Sequence, residues 1–404
     1  VLNVVADNYM GSDPNMLPDL SIRGNSSLGQ SLEEIEIGVQ ASLNTPLIIM
    51  DGFEISLEKL MDYNDEDIAS MNILKDASAT AIYGSRGANG VIVITTKAPE
   101  AGRIKVYLKA GLNMEMPDLT SYNLMNAKEK LQLELENGVY DYLYDMDTDV
   151  QFKKLYHENL KNVNQGVDTY WIGQPIRVGV GQRYNLNLTG GNNTFRWRAS
   201  LGYNNIAGAM KGSDRNNFNG TIDLSYTHKR LIFNNQTSIT TNKAENSKYG
   251  EFSDYANMNP YWPIYDENGD LIKSYTRPSS VTTNVVGNPL YNSTLNTYNR
   301  SNYTQIVNNF SIEWNIIDEL RLRGQFGISK NFNKSDSFYP AEHTKFETYS
   351  ISDSMKKGSY TYGTGESFAL NGNVTLSWAK TFAKKHNIYI GGDFFISESS
   401  SYYY

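Results

Sequence analysis

The sequence predicts a small α+β domain over residues 1–100, followed over residues 101–404 by part of an antiparallel transmembrane β-barrel. Three observations predict it. From about residue 103 onward side chains alternate apolar and polar with period two. The connections between the alternating segments are by turns long and short. Mean hydropathy is low, at −0.49, although the chain carries 29 Tyr, 15 Phe and 5 Trp.

Composition excludes several classes. The 404 residues hold 36 Lys and Arg against 44 Asp and Glu, a net charge of −8. No stretch of about 18 apolar residues exists, so a bundle of membrane helices is ruled out. An acidic balance without a Lys/Arg cluster disfavours a nucleic-acid binder. So much aromatic surface disfavours disorder. The absence of Cys removes disulfides, thiol nucleophiles and cysteine metal sites together. The first residues, VLNVVADNYM, show no initiator Met, basic n-region or cleavage site, as expected where a signal peptide has been removed.

In the first hundred residues "PLIIMDGF" (46–53) reads as a buried strand running into an Asp-Gly turn. "EDIASMNILKDASATAIYG" (66–84) places Ile68, Met71, Leu74, Ser78 and Ile82 at roughly helical spacing. It fits equally a helix, a short strand at Met71 to Leu74 and a second helix. "GVIVITTK" (90–97) is a β-branched strand.

Beyond residue 103, Leu320, Leu322, Gly324, Phe326 and Ile328 alternate with Arg321, Arg323, Gln325, Gly327 and Ser329. Phe368 to Trp378 alternates in the same way. Ile306, Phe310, Ile312, Trp314 and Ile316 share a face on which only Asn308 is polar. Further strands fit near 104–112, 184–190, 195–203, 218–226, 231–241 and 388–396, about nine in all. Most are around ten residues long, the length of a tilted membrane strand. Long connections (about 113–183, 204–217, 242–301 and 331–366) alternate with short ones (190–194, 227–230, 316–319 and 380–387). A meander sorts its loops in this way when one end faces the periplasm and the other the outside. Trp197, Trp314 and Trp378 fall on the apolar set and are candidates for interfacial girdles.

Residues 73–97, "ILKDASATAIYGSRGANGVIVITTK", stand downstream of "DLSIRGNSS" (19–27) and "PLIIMDGF". In this order and spacing they resemble the plug domain of TonB-dependent outer-membrane transporters, and within them the SusC/RagA branch of Bacteroidetes-type bacteria. Arg23, Gly24, Asp51, Gly52, Lys75, Asp76, Tyr83, Gly84, Arg86, Gly87, Asn89 and Gly90 carry the match. "VDTYWI" (167–172) and Gly190-Gly191 resemble the early barrel of that branch. A dinucleotide loop is excluded, because these glycines lead from helix into strand and have the wrong spacing. Arg23 and Lys75 are candidate buried charges, with Asp51 and Asp76 as partners; the plainer reading makes all four solvated turn residues.

The resemblance implies a 22-stranded barrel, of which about nine strands are present, with a regulatory domain and TonB box upstream of the plug. It implies a non-enzymatic importer in the Gram-negative outer membrane, bounded by its lipid. Partners would be a SusD-like surface lipoprotein as lid and the TonB–ExbB–ExbD complex as drive. The substrate would be an oligosaccharide or peptide, with no resident cofactor. The alternatives are a siderophore or vitamin receptor of the same fold, a signal-transducing receptor, and a soluble β-rich glycan-binding protein or hydrolase.

Other features carry less. Asp145, Asp147 and Asp149 have the D-x-D-x-D spacing of a calcium loop, but Val150 and Tyr156 occupy the positions where an EF-hand needs Gly and Glu. That leaves an acidic exposed loop or a looser loop Ca²⁺ site. His157, His228, His343 and His386 show no metal-ligand spacing. Residues 121–140 read as a loop helix with Leu124, Ala127, Leu131 and Leu135 on one face. Trp171, Tyr261, Trp262 and Tyr265, in or near loops rich in Tyr and Asn, are candidate substrate contacts.

Overall fold

The computed structural model describes residues 3–5, 13–15, 19–22, 45–76, 81–279, 282–349, 351–382 and 386–404. At the N-terminal end β1 (Asn3–Val5) pairs antiparallel with β2 (Asp19–Ser21). A four-stranded sheet follows, made of β3 (Leu47–Met50), β4 (Phe53–Glu54), β5 (Ile68–Leu74) and β6 (Val91–Thr96), in the order β4-β3-β6-β5. β3 and β6 run parallel at its centre. They are covered on both faces, and so read as unbroken apolar runs. Ile48, Met50, Ile92 and Ile94 face one core layer, and Leu47, Ile49 and Val91 the other. The helix Leu57–Asp62 begins at Ser56, whose Oγ accepts from the Lys59 N–H at 3.2 Å, and lays Leu57 and Leu60 on the first layer. Residues 68–74, whose spacing fitted helix or strand, form β5 because the edge of β6 supplies a ladder from Thr96 to Val91; pairing overrides the helical spacing.

The rest of the chain builds one nine-stranded antiparallel sheet. Its members are β7 (Gly102–Glu115), β8 (Gly179–Gly191), β9 (Phe195–Ala207), β10 (Asp214–His228) and β11 (Leu231–Glu245). After a separate hairpin, β12 (Ser274–Pro278) and β13 (Thr283–Gly287), come β14 (Tyr298–Ile317), β15 (Leu320–Tyr339), β16 (Ser359–Phe382) and β17 (His386–Tyr403). Apart from the hairpin, each strand pairs with the next in sequence. Nine strands form where nine are expected, but they run longer, up to 24 residues in β16. The added residues lie at the long-loop ends of the strands, where the period-two pattern fades while the ladder continues.

The two faces divide as a membrane wall requires. Arg198, Ser200, Asn217, Thr221, Asp223 and Asn242 are buried on the inner face, whereas Leu201, Ile222, Leu224 and Ile239 are exposed on the outer. Trp314 pairs with Leu231 at the start of β11, Trp378 with Leu320 at the start of β15, and Trp197 is third in β9. All three therefore lie beside the short turns and form one belt. Asn308 interrupts the outer face together with Asn235 and Thr237. The three satisfy one another, the Asn308 amide donating to Thr237 Oγ1 at 2.8 Å and to Asn235 Oδ1 at 3.3 Å.

The long connections carry a core of their own, formed by residues such as Leu131, Phe152, Trp171, Met210, Tyr255 and Trp262. The expected loop helix is Ala127–Glu136; it buries Ala127 and Leu131, but Leu124 and Leu135 are exposed. The acidic stretch at 145–149 is not a loop. Asp145 caps the helix Met146–Asn164, accepting from the Thr148 N–H at 2.9 Å, and Asp149 receives the Tyr142 N–H and the Lys153 ammonium. These carboxylates are engaged in starting a helix. Among the described residues no helix is long and apolar enough to cross a membrane, which says nothing of crossing by strands.

Ile222→Arg, in the middle of the lipid face of β10, is expected to destabilise the folded sheet by about 2–4 kcal/mol. Heat-modifiability on gels and outer-membrane yield measure it. Asn234→Arg, on the inner face, should leave both unchanged.

Candidate functional site

The site is the seam between the N-terminal domain and the inner face of the sheet. After the helix Leu57–Asp62 the chain reads YNDED, a short acidic stretch, and enters β5. Asp62 receives a two-pronged bond from Arg215 of β10, Nε to Oδ1 at 2.9 Å and Nη2 to Oδ2 at 2.6 Å. Asn242 donates to the same carboxylate at 3.1 Å, as does the Tyr303 hydroxyl. Five residues on, Asp67 is held by Arg198 of β9, by Asn187 at 2.8 Å and by the Ser200 hydroxyl at 2.7 Å. Arg198 also donates to the Lys97 carbonyl at 3.0 Å and approaches Asp223 at 3.4 Å. The side chains of Arg198 and Asp67 are only 4 % and 3 % exposed. Arg183–Asp65, at 2.7 Å, and Lys109–Glu66 extend the clasp toward solvent, where such pairs contribute about 0–1 kcal/mol. Four successive wall strands, β7 to β10, thus grip one acidic stretch.

Burial shapes the titration of this region. Desolvation pushes the Glu58 carboxyl up, against the pull of Arg215. It also pushes the Tyr63 phenol up. Lys59 is buried without an ion-pair partner among the described residues, and burial lowers its ammonium to about 8.

The Asp51-Gly52 turn makes a second contact. Asp51 accepts from the Thr96 N–H at 2.9 Å and the Thr96 hydroxyl at 2.6 Å, and its carbonyl accepts from Gln325 of β15 at 3.2 Å. Gly52 has φ +94°, and a Cβ there would come within 2.7 Å of the Gln325 amide. A Cβ on Gly327 of β15 would meet the Phe53 ring at 2.5 Å. Both glycines let the turn touch the wall.

The residues nominated from sequence are distributed as follows. Arg23 and Gly24 lie outside the described residues. Asp51 is held by the Thr96 hydroxyl and backbone amide. Lys75 and Asp76 are exposed at the end of β5. Arg86 pairs with Glu54 at 2.6 Å and lies over the Phe395 ring of β17 at 4.9 Å. Tyr83 packs beside Leu47 and Val91, and Asn89 is half-buried. Gly84 and Gly90 have positive φ, at 60° and 96°, whereas Gly87 is buried without it. In the loops Trp171, Tyr261 and Trp262 are almost wholly buried: Trp171 Nε1 donates to the Asn259 carbonyl at 2.9 Å, the Tyr261 hydroxyl to Glu134 at 2.8 Å, and Trp262 stacks on Tyr275 at 4.7 Å. They build the loop core, and their ring faces are occupied by packing. Tyr265 is 57 % exposed.

Residues 1–91 match the family described as the TonB-dependent Receptor Plug Domain. TonB-dependent receptor SusC of Bacteroides thetaiotaomicron is 33 % identical over 224 residues, covering 53 % of this chain and 19 % of that protein. A TonB-dependent receptor of Formosa agariphila is 25 % identical over 97 % of this chain and 37 % of its own length. The plug-domain match and the similarity to SusC support a TonB-dependent receptor of the SusC/RagA kind. In fold it is similar to the RagAB peptide importer in its closed-closed state, with a TM-score of 0.70 and 21 % identity over 99 % of this chain and 45 % of that one. The ferric citrate transporter FecA gives 0.53 at 10 % identity, over 100 % of this chain and 44 % of its own. This chain spans less than half the length of each of these proteins. The TonB-dependent receptors it resembles are outer-membrane transporters, not enzymes. Its N-terminal domain matches the plug, and its sheet matches part of the barrel wall of those structures.

Sequence reading missed the most buried ion pairs among the described residues. Arg198 and Arg215 fall on the inward set of β9 and β10, and the acidic run 62–67 stands beside a capping Ser. Those were the available signals. Their partnership depends on how the plug is seated, which period-two alternation does not encode.

Arg215→Met strands the Asp62 carboxylate in a buried site and is expected to cost about 3–5 kcal/mol at the seam. Faster hydrogen exchange in residues 57–67 and new sensitivity to large antibiotics would register it. Adding Asp62→Leu should restore most of the protection.

Lys59 gives a pH test. A buried amine that releases its proton at about 8, against its ordinary 10.5, binds fewer protons folded than unfolded between those values. Plug stability should therefore rise as pH climbs from about 8 toward 10.5. Lys59→Met should stabilise the plug at neutral pH and remove this rise, as followed by hydrogen exchange in the full-length receptor.

Proposed function

We propose that the full-length receptor actively imports a nutrient, an oligosaccharide or a peptide, across the outer membrane together with a SusD-like surface lipoprotein. The observation that carries this reading is the clasp of Asp62 and Asp67 by Arg215 and Arg198. A plug held by buried charge pairs does not leave the lumen by thermal motion alone, because separating the partners strands each charge in a poorly solvated gap. Passage requires external work. The TonB–ExbB–ExbD complex, driven by the proton-motive force, is the source proposed. Substrate would be taken up at the long-loop end and no bond in it would be changed. The similarity to SusC and to the RagAB peptide importer supports the nutrient reading and the lipoprotein partner.

Mild-detergent isolation of the full-length receptor from native outer membranes, with mass spectrometry, is the first test. A stoichiometric SusD-like lipoprotein is expected, and recovery of the receptor alone would count against the partner. Deleting residues 73–97 is expected to give a leaky or unassembled pore; energy-dependent uptake at the normal rate by that variant would overturn the reading.

A further inference from the structure

Resting on the import reading above, we propose that the passage past the plug runs along the inner face of β14–β16, and that the Phe53 ring is the valve that closes it at rest. Two cavities lie on this strip. The first, of about 250 Å³, lies toward the short turns, between Thr96 and Lys97 of the plug and Ser311 and Arg323 of the wall. The second, of about 390 Å³, lies toward the long loops, between Glu58 of the plug and Tyr303, Asn333 and Gly365 of the wall. Amides, hydroxyls and charged groups line both, which gives water several partners in each.

Phe53 stands between them. Along β15 the inward positions run Gln325, Gly327, Ser329, Asn331 and Asn333. Gln325 lines the first cavity and Asn331 the second, about 20 Å apart along the strand. Gly327 lies between, in register with Asn309 of β14 and Asn371 of β16. The ring seats on the Gly327 backbone so closely that a Cβ there would meet Phe53 Cε1 at 2.5 Å and Asn309 Oδ1 at 3.0 Å. No layer of water fits between ring and wall. Toward the long loops the wall residues are small: Ser329 pairs with Ala369, and Ser367, Gly365 and Gly363 follow on β16. An apolar ring at the waist of a polar path closes it by excluding water, without having to fill it.

The way the plug is attached favours this side. Ion pairs hold the acidic stretch to β7, β8, β9 and β10. Toward β15–β17 the contacts are made by amides and rings: the Gln325 amide to the Asp51 carbonyl at 3.2 Å, Phe53 on Gly327, and Arg86 over Phe395 at 4.9 Å. Phe53 also moves with the plug sheet. It follows the Asp51-Gly52 turn, and Asp51 is tied to Thr96 of β6 by two hydrogen bonds. Work done on the sheet therefore lifts the ring from Gly327 and joins the two cavities.

The test uses the full-length receptor in planar lipid bilayers. Phe53→Ala is expected to conduct ions steadily where the wild type is silent. Its melting temperature should not change, because among the described residues Phe53 packs in neither core layer of the plug. Phe53→Leu keeps an apolar side chain at the waist and should stay silent. In the Phe53→Ala background, Ser329→Cys treated with a cationic methanethiosulfonate should lose most of the new conductance. Thr221→Cys, on the inner face of β10 beside the clasp and labelled to the same extent by mass, should keep it. These 404 residues contribute no thiol of their own. A silent Phe53→Ala receptor, or a leucine variant that conducts as freely, would overturn the valve. Conductance that falls equally with Thr221→Cys, or not at all with Ser329→Cys, would overturn the path. Wild-type cells without energy-dependent uptake would instead defeat the import reading and leave the conductance result standing.

Discussion

Hydrocarbon has no donor or acceptor for a peptide group, so each N–H and C=O at membrane depth must be paired on a neighbouring strand. That requirement sets the strand order, since a meander pairs each strand with the next without long crossings. It also sets the two-faced pattern, because every second side chain must then meet lipid. The other half turns inward, and here it is Ser, Thr, Asn, Asp and Arg. A polar inner face in turn decides what sort of plug will fit. An oily domain would leave those groups unsatisfied, at about 1–3 kcal/mol each. The plug therefore keeps its apolar core to itself, around Ile48, Ile92 and Ile94, and presents carboxylates and turn amides to the wall.

The seam is consequently electrostatic, and its energetics differ from those of a core. A buried ion pair adds little net stability compared with a well-packed apolar contact, because both charges lose their water. Breaking one side of it is expensive for the same reason. The combination suits an element that must stay closed at rest and yet be separable: resistance is high at the moment of parting, while the charges regain water once the gap opens. Asp62 and Asp67 are five residues apart on one stretch but are held by different strands, so a pull along the chain meets the two clasps one after the other.

Much of this fold is legible in the chain itself. The β3 and β6 runs, the Asp51-Gly52 turn and the nine alternating segments correspond to physical periodicities that act locally, residue against lipid or residue against core. The strand ends beyond the membrane were not legible, because nothing there forces alternation on Asn299 or Thr361. The helix Met146–Asn164 was hidden behind its own cap, three alternating aspartates that read as an acidic loop. The seam was the largest omission. An inward Arg among Asn and Thr looks like ordinary lumen lining, and only the seating of the plug turns it into a partner for Asp62 or Asp67. Pairing between distant segments is three-dimensional information, which no local pattern of side chains encodes.

The loops obey a different rule again. Outside the membrane they stand in water, and the connections between β7 and β8 and between β11 and β14 are long enough to bury apolar surface against one another. Their tyrosines are amphipathic, so burial is tolerable only where each hydroxyl finds an acceptor. Tyr140 and Tyr261 share Glu134, Tyr255 reaches the Tyr249 carbonyl at 2.9 Å and Tyr275 the Pro263 carbonyl at 2.6 Å. Burial raises the Tyr140 phenol to about 12, so these hydroxyls remain donors at any physiological pH. The loop core is thereby locked by directional bonds as well as by packing. Loops so fixed form a preorganised vestibule, with little conformational freedom left to lose.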